Sequence, residues 1–262
     1  MNLLAKAGEQ GMSSAYTTIE VQAEGPVTRI TLNRPEKLNA FSAELVEETI
    51  AAVSEAETTG TRLIVFQGAG KGFSGGFDLG GLEDMSDGDL LLRFVRVEQL
   101  LQQVYHARAA TLALVHGPCY GAAAELVAAC EWRFIAPDTR FRMPGSRFGI
   151  VLGTRRLTRL IGADATRQLV LRDKPFGAEE ALTTGYINAI ADPDCWPEQV
   201  AEVLGKVTPL DADTYAELAE RRREDTREAD MAALVQSVTN GSVKAKIQDY
   251  LEEIAAHKAA KS

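Results

Sequence analysis

The sequence lacks most of the patterns that mark metal, redox and membrane proteins. Its 262 residues include three cysteines and three histidines, without a CxxC pair or a Cys/His ligand spacing. No apolar run approaches the about 20 residues that a transmembrane helix needs, so we expect no membrane insertion. Neither a Gly-Lys-Ser/Thr phosphate loop nor a GxGxxG dinucleotide fingerprint occurs. We therefore expect a cytoplasmic protein with reduced cysteines, no metal and no redox cofactor.

A surplus of positive charge is also missing. Twenty-eight Lys and Arg residues against 37 Asp and Glu residues give a net charge of −9, which argues against general affinity for nucleic acid or an anionic membrane. An anionic ligand would need a local site made of backbone donors or a few placed cations. Residues 1–15 lack the compact apolar segment of a secretory signal, and we expect them to form a flexible N-terminal tail.

The sequence does contain 45% hydrophobic residues, enough for a sizeable core, in alternating strand-like and helix-like segments. Apolar alternation on both sides of residues 24–26 predicts an opening hairpin, and Ser42 predicts the N-cap of a helix that ends before Gly60. Strand, polar loop and helix then recur, followed by one helical stretch over residues 155–171. The sequence from Pro197 onward is amphipathic and helical. This order predicts an α/β architecture with a helical C-terminal part.

Two turns rich in small residues follow strand-like runs. They are residues 73–79 (Phe-Ser-Gly-Gly-Phe-Asp-Leu) and residues 117–125 (Gly-Pro-Cys-Tyr-Gly-Ala-Ala-Ala-Glu). Small residues let a ligand approach the main chain, and a helix start offers unpaired N–H donors. Two such turns can aim two N–H groups at one oxygen, as in an oxyanion hole. The alternatives are a generic loop capped by Asp78, and close packing of residues 121–124 against a strand.

Glu125 is the candidate acid–base group. If a helix begins near Ala122, Glu125 lies three residues further along the same face. Its carboxylate then overhangs whatever the first-turn N–H binds, so one element supplies both an oxyanion donor and a base. The alternative is that Glu125 only complements the positive end of the helix dipole.

Four segments, in their order and spacing, resemble the enoyl-CoA hydratase/isomerase, or crotonase, family. They are residues 33–41 (Asn-Arg-Pro-Glu-Lys-Leu-Asn-Ala-Phe), 73–79, 116–125 and 130–141. The resemblance covers about residues 16–190 and implies an α/β spiral of ββα turns with a helical C-terminal trimerisation region. It divides the chain into the tail at residues 1–15, a core with the acyl-CoA site at 16–195, and an oligomerisation region at 196–262. The implied assembly is a homotrimer or a hexamer built as a dimer of trimers.

The resemblance also implies a lyase or isomerase of fatty acid metabolism that binds an acyl-CoA thioester. The N–H groups of Phe77 and Ala122 would form the oxyanion hole, and Glu125 would be the catalytic acid or base. Coenzyme A would be part of the substrate. The residues expected to bind it are Lys37, Leu38, Asn39, Ala40, Asp78 and Leu79. Two fixed donors stabilise a thioester enolate more than its ground state, so no further cofactor is needed.

The sequence departs from the family at the place where a hydratase carries a second glutamate, directly after Met143-Pro144. The residue here is Gly145. Hydration needs water activated at one carbon and a proton delivered to its neighbour, for which two carboxylates are the natural equipment. The glycine-rich stretch that follows is shortened to residues 150–157. Arg147 lies near the vacant position, and we place it with Gly145 in the acyl pocket, where it would bind a carboxylate on the acyl group.

Several functions stay open for such a site. As an enzyme with one glutamate, the protein would isomerise a double bond, hydrate inefficiently, or decarboxylate a substrate held by Arg147. As a non-catalytic acyl-CoA binding protein, it would keep the hole without the chemistry. Gly145 and the shortened loop favour the binding protein, whereas Glu125 disfavours it. The other polar residues near these motifs, which we interpret as structural or surface groups, are Tyr120, Glu131 and Asp138.

Overall fold

A computed structural model of the chain describes residues 16–172 and 174–259, so the tail expected at residues 1–15 lies outside the described residues. The strands are β1 Ile19–Glu24, β2 Val27–Leu32, β3 Leu63–Gly68, β4 Ala110–Val115, β5 Pro118–Tyr120, β6 Trp132–Ile135, β7 Arg140–Arg142, β8 Phe176–Gly177 and β9 Ala189–Ile190. The α-helices are α1 Ala43–Thr58, α2 Asp87–Tyr105, α3 Ala122–Ala129, α4 Thr154–Ile161, α5 Ala163–Leu171, α6 Ala178–Thr183, α7 Trp196–Val207, α8 Ala212–Arg222, α9 Arg227–Val238 and α10 Val243–Ala259.

The described strands form two sheets that the chain visits in turn. The larger sheet has the order β1-β2-β3-β4-β6-β9, and the smaller has the order β5-β7-β8. The hairpin β1–β2 is antiparallel, as predicted, and the other pairs of the larger sheet are parallel. Because β5 and β7 leave the larger sheet after β4 and β6, the chain spirals through strand, strand and helix. This topology confirms the predicted α/β spiral of ββα turns.

The central strand β4 is buried along its whole length because helices cover both faces of the larger sheet. On one face, Ala113 and Val115 join a core formed with α1, α2 and α3. On the other face, Leu112 and Leu114 pack against α7 and α8, where Val203 is fully buried. The first two C-terminal helices are therefore part of the sheet's core.

Side-chain N-caps begin helices α1, α2 and α8. Ser42 caps α1 as predicted. Helix α2 begins at Asp87, because Ser86 and Asp89 form a capping box. The stretch 155–171 is two helices instead of one, since the backbone at Gly162 has a φ of 82°, which breaks the hydrogen-bond ladder. This difference leaves the order of elements unchanged.

Helices α9 and α10 pack on α2 and on the 3-10 turn at Pro144–Phe148. Val238 and Ile247 are buried there in a separate apolar cluster with Phe94 of α2. None of the helices in the described parts of the chain has the length and apolar content to cross a bilayer. The division at residues 195 and 196 stays a prediction.

Candidate active site

The two small-residue turns run side by side in parallel register. A parallel β-bridge pairs Ser74 of the first turn with Cys119 of the second. Three residues further along in each turn lie Phe77 and Ala122, whose N–H groups are the expected oxyanion donors. Equal spacing from a shared bridge brings these residues to the same level, and both line one cavity.

The Phe77 amide points away from Phe41, which pairs with the other side of the first turn. Phe41 pairs with this turn through the Gly76 carbonyl at 2.7 Å and the Asp78 N–H at 3.2 Å. Successive amides of an extended segment point to opposite sides, so the Phe77 N–H points away from Phe41. A Cβ atom at Gly76 would lie 2.3 Å from the Tyr120 carbonyl oxygen. Glycine at this position therefore permits the close approach of the two turns.

The Ala122 amide is the first N–H group of helix α3. Gly121 precedes it with φ 53° and ψ −121°, and its own N–H donates to the Arg142 carbonyl over 2.8 Å. The first amides of a helix have no partner within the helix and lie at the positive end of its dipole. Phe77 and Ala122 thus both line one cavity, as the expected pair of oxyanion donors requires.

The cavity has a volume of about 250 Å³ and a mostly apolar wall. Its apolar side chains include Phe94, Met143, Phe148, Ile150, Leu152, Val170, Leu251 and Ile254. Its polar side chains are Tyr120, Glu125, Arg142, Ser146, Thr154 and Tyr250. Within residues 16–172 and 174–259, Glu125 is the only acidic side chain of the lining. The same residues contain no cluster of three or more His, Cys, Asp or Glu side chains able to hold a metal ion.

Glu125 is 7% exposed, and its Oε2 atom has no hydrogen-bond partner in the described structure. Burial raises the pKa of its carboxyl from the ordinary 4.5 to about 8, because the ionised form loses its hydration. The positive charge of Arg156 opposes this rise, and the negative charge of Glu98 adds to it. The carboxyl is therefore mostly protonated at neutral pH. Its ionised fraction is a stronger base than an ordinary carboxylate.

The shortened loop contacts Glu125 directly. A Cβ atom on Gly153 would lie 1.9 Å from the Glu125 Oε2 atom, and the φ of Gly153 is +67°. Both the space and the backbone conformation require glycine at this position. Helix α4 starts at the next residue, so Gly153 lets α4 approach the carboxyl. The sequence indicated that this loop is short, but no local pattern indicated its contact with Glu125.

Gly145 lies where the sequence analysis placed it, in the wall of the cavity that holds Glu125. Its φ is outside the glycine-specific range, and the nearest atom to an added Cβ would be the Ile150 carbonyl oxygen at 3.8 Å. The position therefore has the backbone conformation and space for a larger side chain.

Arg147 does not line the cavity, in contrast to its expected place in the acyl pocket. It is 41% exposed at its side chain, and its guanidinium lies 2.7 Å from the Glu253 carboxylate. The 3-10 turn directs Phe148 inward and its neighbour Arg147 outward. The arginine of the lining is instead Arg142, whose guanidinium lies 5.8 Å from the centre of the Tyr250 ring.

Asn39 is fully buried, so its side chain is not available to the expected coenzyme A. Its amide group donates to the carbonyl oxygens of Ala69, Gly72 and Phe73 over 2.8, 3.0 and 3.1 Å. The backbone carbonyl oxygen of Asn39 accepts a hydrogen bond from the Ser74 hydroxyl over 2.7 Å. With a φ of 50°, Asn39 occupies a left-handed conformation that asparagine tolerates. Asn39 thus fastens the segment that leads into the first turn.

The remaining residues expected to bind coenzyme A lie near the first turn. Lys37 is exposed, Leu38 and Ala40 are half-buried, and Leu79 lines the cavity. Asp78 forms an ion pair with Arg34 at 2.8 Å and accepts the Gly80 N–H at 2.9 Å. Burial alone would raise the pKa of Asp78, but these two partners outweigh it and lower that pKa. The Asp78 carboxylate is thus ionised and bound to Arg34 and Gly80 within the protein, whereas the sequence predicted that it contacts coenzyme A.

The other polar residues of the motifs have distinct surroundings. Tyr120 lines the cavity, whereas Asp138 is exposed. Glu131 accepts the Tyr215 hydroxyl over 2.6 Å and pairs with Arg222 at 2.7 Å, which links α8 to the core. Glu131 is structural, as interpreted from the sequence.

Sequence reasoning missed two parts of the cavity wall. Tyr250 and Ile254 of α10 reach it from the C-terminal region, although their amphipathic spacing indicated only that this helix packs against something. The Phe77 ring stacks on Phe94 at 4.2 Å between ring centres, and the Arg93 guanidinium lies 4.2 Å from the centre of the Phe77 ring. No local signal could have indicated these partners.

Comparisons with known proteins agree with this architecture. The family model described as enoyl-CoA hydratase/isomerase matches residues 22–257. The probable enoyl-CoA hydratase echA6 of Mycobacterium leprae is 35% identical over 199 residues, covering 72% of this chain and 76% of that protein. The short-chain-enoyl-CoA hydratase of Clostridium acetobutylicum is 27% identical over 192 residues, covering 71% and 74% of the two chains.

A solved structure from Bordetella parapertussis that carries the enoyl-CoA hydratase/isomerase family name is 44% identical in sequence. It superposes with a TM-score of 0.88, covering 89% of this chain and 98% of that chain. The agreement thus covers most of the chain. The chain therefore belongs to the enoyl-CoA hydratase/isomerase family.

Proposed function

We propose that this protein transfers a proton along the acyl chain of a CoA thioester and so shifts the double bond of an enoyl-CoA. The observation that carries the proposal is the single acid of the lining. In the described residues, Glu125 alone lines the cavity that Phe77 and Ala122 also line. A double-bond shift needs one base that removes a proton from one carbon and returns it to another. Hydration divides its proton transfers between two groups, and the second is missing at Gly145.

The reaction balances with these groups alone. The thioester carbonyl accepts the N–H groups of Phe77 and Ala122. The Glu125 carboxylate takes a proton from the carbon between the carbonyl and a 3,4 double bond, and the electron pair of that C–H bond moves to the carbonyl oxygen. Glu125 then returns the proton to the far end of the dienolate, which leaves the double bond conjugated with the thioester. Loss of one oxyanion donor in such a site costs on the order of 3 kcal/mol.

The electrostatics support Glu125 as this base. A pKa of about 8 gives a base strong enough for a C–H proton while a usable fraction stays ionised near neutral pH. The apolar wall formed by Phe94, Phe148 and Ile254 limits water near the dienolate. Both features favour return of the proton to carbon over addition of water.

The CoA moiety would lie along residues 37–40 and 78–79. The support is that the Leu38 carbonyl accepts the Gly75 N–H over 2.7 Å, which places this segment beside the first turn. The Asn39 side chain is excluded from that contact. The homotrimer or hexamer, the cytoplasmic location and the absence of a cofactor stay predictions.

The test is turnover of 3-enoyl-CoA and 2-enoyl-CoA thioesters of several chain lengths in deuterated water. We expect conjugated-thioester absorbance to rise with 3-enoyl substrates. The product should contain little deuterium, because Glu125 returns the proton that it removed. Glu125→Gln should abolish this turnover while calorimetry still detects acyl-CoA binding. Glu131→Gln serves as the matched control, because this carboxylate lies outside the cavity, and it should retain turnover.

Three outcomes would replace the proposal. Binding without turnover at any chain length would make the protein an acyl-CoA binding protein. Rapid formation of 3-hydroxyacyl-CoA from 2-enoyl substrates would make it a hydratase that needs no second glutamate. Release of CO2 from a carboxyacyl-CoA, without any double-bond shift, would make it a decarboxylase.

A further inference from the structure

A buried ion pair lies behind Glu125. Glu98, in the middle of α2, is fully buried, and Arg156, in the first turn of α4, is 4% exposed. Two hydrogen bonds join them, from Arg156 Nη1 to Glu98 Oε1 at 2.8 Å and from Nη2 to Oε2 at 2.6 Å. Gln102 adds a third bond to Oε1 at 2.8 Å. The arrangement fixes the orientation of the guanidinium group.

The second acid near Arg156 has other partners. The Asp230 Oδ2 atom of α9 lies 3.5 Å from Arg156 Nη1, but Asp230 Oδ1 accepts Arg155 Nη1 over 2.8 Å. The Thr226 hydroxyl donates to Asp230 Oδ2 over 2.7 Å. The guanidinium of Arg156 is therefore committed mainly to Glu98. Among the described residues of this region, Glu125 is left as the carboxyl without an ion-pair partner.

Two buried polar atoms in this region lack hydrogen-bond partners within the described residues, Arg156 Nε and Glu125 Oε2. The link between them is short along the chain, because Gly153 contacts Glu125 and Arg156 follows three residues later. Arg156 favours the ionised form of Glu125, and Glu98 opposes it. The pair thus acts on Glu125 with two opposite charges.

We propose that Glu98 is a positioning residue for Glu125, because it holds both Nη groups of Arg156 and so keeps that guanidinium from pairing with the neighbouring Glu125 carboxyl. A purely structural ion pair at this depth would be a weak source of stability, since desolvation of both charges offsets their attraction. Its position behind the single acid of the cavity gives it an additional role. The inference rests on the proposed function only for its catalytic consequence.

Other titratable and charged side chains lie near Glu125 as well, and a test has to leave them unchanged. The titratable or charged side chains around it and its neighbours are Glu98 on α2, Arg156 on α4, Asp230 on α9, Tyr120 on β5, Arg142 on β7 and Tyr186 before β9. Tyr186 donates its hydroxyl to the Ala124 carbonyl at 2.5 Å and stays protonated, since burial raises the pKa of its phenol. Glu98 is the one whose neutralisation frees the charge of Arg156.

The test uses the full chain with 13C-labelled glutamate carboxyls and follows the titration of Glu125, assigned by its absence in Glu125→Gln. In Glu98→Gln we expect the midpoint to fall by at least about one pH unit, a tenfold change in the ratio of ionised to protonated carboxyl. Asp230→Asn removes the more exposed and more distant acid beside Arg156, so it should lower the Glu125 midpoint by less than Glu98→Gln does. Glu131→Gln is the matched control with an unchanged midpoint, because its ion pairs face α8.

A Glu125 midpoint in Glu98→Gln equal to that of the parent would overturn the proposal. If Glu98→Gln does not fold, an unchanged or raised midpoint in Asp230→Asn overturns it instead. The titration needs no turnover, so a shifted midpoint in a protein that converts no enoyl-CoA would support the positioning role and refute the proposed function. In an active enzyme, the ionisation limb of the kcat profile should move toward lower pH by the same amount in Glu98→Gln.

Discussion

Replacement of Glu125 by glutamine should stabilise the fold as it removes the proposed catalytic carboxyl. In the folded protein, burial raises the pKa of this carboxyl from 4.5 to about 8, whereas the unfolded chain keeps the ordinary value. Between these two pH values the folded state holds a proton that the unfolded state has lost. The free energy of unfolding therefore falls as pH rises through this window. Glutamine does not ionise, so the variant lacks this decline.

The size of the effect follows from the pKa difference. One pKa unit corresponds to about 1.4 kcal/mol. At about pH 7, roughly 2.5 units above the ordinary value, the free energy of unfolding of Glu125→Gln should exceed that of the parent by about 3 kcal/mol. The excess should shrink to about 1 kcal/mol or less near pH 5 and level off near about 5 kcal/mol above pH 8.

The assay is urea unfolding of both proteins at a series of pH values and at equal protein concentration, so that any association affects both alike. Glu131→Gln is the control, because it removes a carboxylate that accepts the Tyr215 hydroxyl and pairs with Arg222, and it should be less stable than the parent. A difference between Glu125→Gln and the parent that does not grow from about pH 5 to about pH 8 would refute the reasoning. That result would mean that Glu125 is ionised in the folded protein.

Three further predictions concern other positions of the site. Gly145→Glu should introduce hydration of 2-enoyl-CoA, since position 145 has a permissive backbone and space on the cavity wall. Gly145→Gln is the control and should not, and the rate of 3-hydroxyacyl-CoA formation measures hydration in both variants. Gly153→Ala should abolish turnover, because its Cβ atom would meet Glu125. Gly185→Ala is the control, since Gly185 also has a positive φ but space for a Cβ atom; it should lower the free energy of unfolding by about 1 kcal/mol and leave turnover intact. Gly153→Ala should lower that free energy by more. Asn39→Ala should lower the free energy of unfolding by about 3 kcal/mol, because two buried carbonyl groups and one half-buried carbonyl group lose their donor. A loss below about 1 kcal/mol would show that these groups find other donors.

The elements that the sequence predicted correctly have strong local signals. The hairpin around residues 24–26 and the helix between Ser42 and Gly60 each have turn or capping residues at both ends. The break at Gly162 was missed, because a single glycine within an amphipathic stretch is compatible with one continuous helix. Asn39 was assigned to ligand binding, because its motif does not reveal whether its side chain faces solvent or the interior.

The sequence by itself determined the two small-residue turns, the α/β order of elements and the place of Glu125 in the first turn of α3. Helix periodicity and glycine conformation act over a few residues, so these features follow from adjacent positions. The tertiary structure alone decided that Gly153 contacts the carboxyl, that Arg142 instead of Arg147 lines the cavity, and that α10 closes its wall. Each of these depends on packing between segments far apart in the chain. The charge state of Glu125 is set by the same packing, because burial and the pair behind it arise only when α2, α3 and α4 meet.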